Sequence, residues 1–161
     1  MNINGSADVI DLTIPARLEY IGVARLLVSG VANRAGLTYD DIEDVKLAVA
    51  EACTNAVQHA YLEQEGSIRI QCQLFCDRLL IQVADDGVSF DTEREKMKMG
   101  PIDREASIET ITEGGLGLFL IHSLMDEVDV RNDQGIVVSM VKYVQRDGVA
   151  EDVDAFTRTE I

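Results

Sequence analysis

The run IEDVKLAVAEACTNAVQHAY, residues 42–61, reads as helix. Ile42, Val45, Val49, Ala52 and Ala56 recur three or four positions apart and line one face with apolar side chains. Thr38 stands ahead of the run as an N-cap, with Asp40 and Asp41 in the first turn, where carboxylates meet the positive end of the helix dipole. Beside the apolar face runs a second stripe. Glu51, Asn55 and His59 lie one turn apart among Ala52, Cys53, Ala56, Val57 and Ala60. A carboxylate, a carboxamide and an imidazole in line on a core-facing helix mark it as the element around which the rest is to be arranged.

Upstream, VIDLTIP (9–15) alternates Ile10, Leu12 and Ile14 against Asp11 and Thr13, the period of a half-buried strand. Pro15 ends it and suits the first turn of a helix. Leu18, Ile21, Ala24, Leu27, Val28 and Val31 carry that helix to Ala35, with Gly36 as its C-terminal cap. Downstream, EQEG (63–66) makes a turn, SIRIQCQLF (67–75) alternates, and LLIQVADDG (79–87) follows a tight CDR turn, which predicts an antiparallel hairpin. Residues 88–112 are charged, contain MGP (99–101) and lack sustained periodicity, so they read as a lid. EGGLGLFLIHSLMDEV (113–128) opens on glycines and continues as an apolar helix. VDVRN (128–132) and GIVVSMVKYV (135–144) form a last antiparallel pair, and a polar tail starts at Gln145. This order predicts an α+β chain: a two-layer α/β sandwich, one mixed but mainly antiparallel sheet with helices on one face, in a single domain over 1–161.

Composition narrows the function. Of 161 residues 47% are hydrophobic, only 5% are aromatic and none is Trp, so the core is aliphatic. The net charge of −15 argues against a nucleic-acid surface, which needs a positive footprint, and suits either plain solubility or a basic protein partner. MNINGSADVIDL lacks the basic and apolar regions of a signal peptide, and no apolar run reaches the ~20 residues of a membrane span. Cys53, Cys72 and Cys76 have no metal-type pairing and read as free thiols in a reducing cytoplasm.

Three stations look chemical. Glu51 and Asn55 present a carboxylate and an amide oxygen on one helix face, a set that suits Mg²⁺; the Glu51 carboxylate could instead take a proton from an attacking hydroxyl. ADDG (84–87), at the end of an apolar strand, offers an aspartate to a ligand amine with glycine leaving room for the backbone. EGGLG (113–117) brings backbone N–H groups and a helix N-terminus toward phosphate, without the Lys-Ser/Thr of a Walker loop. Singly, each station is most often a solvated helix edge or a turn. Jointly, in this order and with a lid between the last two, they supply the parts of an ATP site.

With these residues in place, the chain resembles the GHKL ATPase/kinase superfamily through its N, G1 and G2 boxes. Within it, IEDVKLAVAEACTNAVQHAY, VADDGVSFD and EGGLGLFLIHSLMDEV are similar to the RsbW family of anti-sigma-B serine kinases, from about residue 8 to about residue 145. The resemblance implies that Asn55 binds Mg²⁺, that Glu51 is the general base, and that Asp85 bonds the adenine amino group with Gly87 beside it. Gly115, Leu116 and Gly117 would lie near the ATP phosphates, and 88–112 would be the ATP lid. The implied activity is an ATP-dependent serine kinase of a STAS-domain anti-anti-sigma protein. The same chain would sequester a sigma-B-type sigma factor, act as a homodimer in the cytoplasm, and make no direct contact with nucleic acid or membrane. Three positions depart from the family pattern: Ser89 stands for the second G1 glycine, Ile136 for a threonine after Gly135, and Glu113 for an arginine before the G2 glycines. Arg104, in the lid, is a substitute phosphate contact. His59 and His122 read as packing or hydrogen-bonded histidines. The competing functions are a nucleotide-gated anti-sigma binding module with negligible kinase activity, and an ATPase that uses water as acceptor. In 161 residues there is no room for a phospho-accepting dimerisation helix pair or an attached substrate domain.

Overall fold

The computed structural model describes residues 7–61, 66–85, 115–132 and 135–145, and only the backbone at 59–61, 115 and 116. The expected lid (88–112) and all but the first residue of the expected tail lie outside these residues, as do Gly87, Ser89, Arg104 and Glu113.

The chain runs β1 (Asp8–Pro15), a 3₁₀ turn (Leu18–Tyr20), α1 (Ile21–Ala35), α2 (Tyr39–Tyr61), β2 (Ser67–Leu74), β3 (Arg78–Asp85), α3 (Gly115–Leu124), β4 (Glu127–Asn132) and β5 (Ile136–Tyr143). The five strands form one sheet in the order β1-β2-β3-β5-β4. Each of the four described pairings is antiparallel. Alternation divides the sheet. Ile68, Ile70 and Cys72 of β2 and Leu79, Ile81 and Val83 of β3 join one core with Val28 of α1, Val49 of α2 and Ile121 of α3. The other parity forms smaller clusters, Leu80 with Phe75 and Val141, and Ala84 with Val137. The described helices thus cover one face, as the strand and helix periods predict.

The caps behave as the sequence predicts. Gly36 takes φ 90°, a left-handed conformation open to glycine. Its N–H and that of Leu37 bond back to Asn33 O (3.1 Å) and Ala32 O (3.2 Å), the paired bonds of a Schellman end. Thr38 Oγ1 accepts from Asp41 N at 3.2 Å and caps α2.

Two expectations are corrected. Pro15 does not open a helix. It is the last residue of β1, paired with Ser67, and α1 starts only at Ile21 after the 3₁₀ turn. Proline lacks an N–H but can still end an edge strand, where no ladder bond is asked of it. The alternation of β1 also overstates its burial: Ile14 is 4% exposed, whereas Ile10 is 36% exposed. β1 is the sheet's edge strand, and the helix layer reaches its Ile14 end and not its Asp8 end.

Candidate active site

The long helix α2 turns Val45, Ala48, Val49, Ala52, Cys53 and Ala56 into the core. That leaves Glu51 and Asn55 half-buried on its flank, one turn apart. α3 packs against this flank, with Gly117 beside Glu51 and Asn55. A Cβ placed on Gly117 would lie 3.2 Å from Glu51 Oε2 and 3.4 Å from both Nδ2 and Oδ1 of Asn55. Glycine at 117 is therefore a matter of space. Any side chain there would press on the two polar groups that the sequence singles out.

Asn55 Nδ2 is buried and has no hydrogen-bond partner among the described residues. A buried amide left unpaired costs about 1–3 kcal/mol, so such a group calls for a partner such as water, an ion or a ligand. A half-turn of the amide exchanges nitrogen for oxygen and brings to the same position the atom that a hard cation takes. The residues present therefore fit a Mg²⁺–nucleotide. Among the described residues no three His, Cys, Asp or Glu side chains converge as a metal cluster. A cation held by one amide and by ligand phosphates needs no such cluster.

Gly115, Leu116 and Gly117 form the first turn of α3. The N–H groups of a first turn have no partner within the helix and carry its positive partial charge, a ready anion site. Asp85 is the last residue of β3. Its register partner Ile68 belongs to the main core, so Asp85 faces the helix layer, and it is only 7% exposed. Its Oδ2 accepts from the backbone N–H of Ile136 at a long 3.5 Å. Gly135, just before, has φ 142°. Ile136, which departs from the family's threonine, thus meets Asp85 through its main chain. Side-chain identity carries no sign of that contact, and sequence reasoning missed it.

The structure brings Glu51, Asn55 and Gly117 together and places Asp85 at the β3 end beside the start of β5. The thiols stand apart from this chemistry. Cys53 and Cys72 are buried, and burial pushes both up to about 12. Cys76, in the β2–β3 turn, is exposed.

Comparison with known proteins identifies the family. Residues 14–142 match the family described as "Histidine kinase-like ATPase domain". The serine-protein kinase RsbW of Halalkalibacterium halodurans is 50% identical over 153 residues, 95% of this chain and 94% of that protein. Serine-protein kinase RsbW of Bacillus cereus is 52% identical over 143 residues, 89% of each chain. A crystal structure of the RsbU and RsbW domains of a Mycobacterium tuberculosis protein superposes with a TM-score of 0.59 at 18% identity. That match covers 84% of this chain and 31% of that one, a likeness of fold.

Proposed function

The chain belongs to the RsbW serine-protein kinases, built on the histidine kinase-like ATPase domain, and we propose that its phosphoryl transfer takes place where α2 meets α3. It is an ATP-dependent serine-protein kinase and an anti-sigma-B factor. The acceptor is a serine of a STAS-domain anti-anti-sigma protein. The observation that carries the site is that the backbone at Gly117 stands so near Glu51 Oε2 and the Asn55 amide that a Cβ there would press on them.

Each group has one task. Glu51 takes the proton from the acceptor serine hydroxyl as its oxygen bonds to the γ-phosphorus. The bond from the γ-phosphorus to the bridging oxygen breaks and ADP leaves. Asn55 would hold Mg²⁺, which would supply charge neutralisation to the phosphates. The Gly115–Leu116–Gly117 turn offers its N–H groups to the phosphates. Asp85 accepts from the adenine amino group, with Gly87 leaving room beside it. Arg104, within the expected lid over 88–112, is the proposed further phosphate contact, and the whole chain, 1–161, works as one domain. Little covalent work falls to the protein, because phosphoryl transfer rests on alignment and charge.

The sigma-B-type sigma factor is the second partner, held by a homodimer of this chain in the cytoplasm. A net charge of −15 suits basic stretches of such a partner and disfavours direct nucleic-acid binding. No helix among the described residues is long and apolar enough to cross a membrane.

Partner exchange is tested by mixing the purified chain with its sigma factor and ATP, then adding the unphosphorylated antagonist, with complexes followed by size-exclusion chromatography. The sigma factor is expected to elute free once antagonist is added and to be recaptured as the antagonist becomes phosphorylated. A sigma factor that never co-elutes with the chain would overturn the anti-sigma assignment.

A further inference from the structure

Lys142 lies on β5, far along that strand from Asp85 and Ile136, yet it is buried on the helix side of the sheet at 7% exposure. Its ammonium donates to Leu124 O, the last carbonyl of α3, at 2.7 Å. It also lies 3.6 Å from Asp41 Oδ1 and 3.5 Å from Asp44 Oδ2, both in the first turns of α2. One cation thus joins the negative end of α3 to carboxylates at the start of α2, each contact having the sign that the helix dipoles favour.

The two helices are thereby fixed at two levels. At one level Gly117 meets Glu51 and Asn55. At the other, Leu124 meets Asp41 and Asp44 through Lys142. Seven residues separate Gly117 from Leu124 and seven separate Asp44 from Glu51, so the two levels stand about 10 Å apart on both helices. α2 and α3 run antiparallel with matched rise. Sliding α3 by one residue would move Gly117 by about 1.5 Å along the flank of α2. A methyl on Gly117 would already stand 3.2 Å from Glu51 Oε2, so that displacement is enough to change the gap between the turn and Glu51.

We propose that Lys142 is a positioning residue for the nucleotide's phosphates: it holds the register of α3 on α2 and so sets where the Gly115–Gly117 turn stands against Glu51 and Asn55. The inference rests on the phosphate-binding role of that turn in the proposed function. It assigns no part to Lys142 in gripping adenine, which belongs to Asp85 at the far end of the sheet.

The test compares affinities for ATP and for adenosine, the latter by competition with labelled ADP, in wild type, Lys142→Met and Lys142→Arg. Methionine keeps an unbranched apolar stem and removes the charge, and it leaves behind two carboxylates that already reach solvent, at 19% and 39% side-chain exposure. Far-UV circular dichroism and melting temperature establish that each variant is folded at the assay temperature. Lys142→Met is expected to weaken ATP binding about tenfold, the loss of about one well-placed hydrogen bond between the turn and the charged phosphates. Adenosine affinity should stay within twofold, and Lys142→Arg should recover most of the ATP affinity. ATP and adenosine weakening in the same proportion, or unchanged ATP affinity in Lys142→Met, would overturn the inference. Wild-type protein that fails to bind ATP would overturn instead the function on which it rests.

Discussion

Gly117→Ala separates what the fold needs from what the site needs. In a helix, alanine is favoured over glycine by about 1 kcal/mol, because glycine loses more backbone freedom on ordering. At position 117 the new methyl would lie 3.2 Å from Glu51 Oε2 and 3.4 Å from both terminal atoms of Asn55, tighter than ordinary van der Waals contact at the first of these. The nearest atom is the tip of a flexible side chain, so Glu51 can yield by a few tenths of an ångström at small cost. The two effects oppose each other in stability, and the melting temperature should move by no more than about 2–4 °C, the shift expected for 1 kcal/mol in a chain of this size. Activity has no such compensation. The methyl presses on Glu51 and Asn55, the proposed base and Mg²⁺ ligand, and phosphorylation should fall at least about tenfold. Thermal unfolding and initial rates with labelled ATP measure the two quantities in one preparation. A Gly117→Ala protein with full kinase activity would refute the reasoning, because the space would then serve packing alone.

Other perturbations probe the remaining groups. Asn55→Ala should abolish Mg²⁺-dependent ATP binding and phosphorylation, read by ATP titration with and without the cation; full activity would remove Asn55 from the site. Asp85→Asn should weaken ATP about 10- to 100-fold, the worth of a hydrogen bond to a charged group, while circular dichroism stays native. Alkaline pH should destabilise the chain through its core thiols. Cys53 and Cys72 shift from 9.0 to about 12 on burial, so the unfolded chain releases their protons first. Their contribution is complete below about pH 9 and is lost as pH climbs from there toward 12. At pH 10 the loss is about 1 kcal/mol per thiol. Urea unfolding at pH 8 and pH 10 measures it, and a Cys53→Ala/Cys72→Ala variant should lack this part of the decline; an equal decline in that variant would contradict the assignment.

The elements were legible because periodicity and caps are local properties. α2 could be read from Thr38, its acidic first turn and its apolar face, and the end of α1 from Gly36. The chemical stripe was legible for a related reason: Glu51 and Asn55 are polar groups at positions where packing alone would ask for none. What escaped was long-range. The exposure of Ile10 depends on how far the helix layer extends over an edge strand, which alternation within β1 does not encode. The Ile136 contact to Asp85 is made by main chain, and any residue but proline could make it. In the sequence Lys142 is one charge in the mostly apolar strand GIVVSMVKYV. Its burial follows from α2 starting and α3 ending beside it, and that is visible only once the helices are packed.

The central claim is that Glu51 is the base of a serine kinase. It is tested most directly with γ-labelled ATP, Mg²⁺ and the STAS-domain antagonist from the same genome, comparing wild type with Glu51→Ala. Wild type is expected to label an antagonist serine, and Glu51→Ala to leave it unlabelled despite retained ATP binding. Antagonist labelled equally by both proteins would contradict that claim, and so would wild-type protein that binds ATP and sigma factor tightly yet transfers nothing.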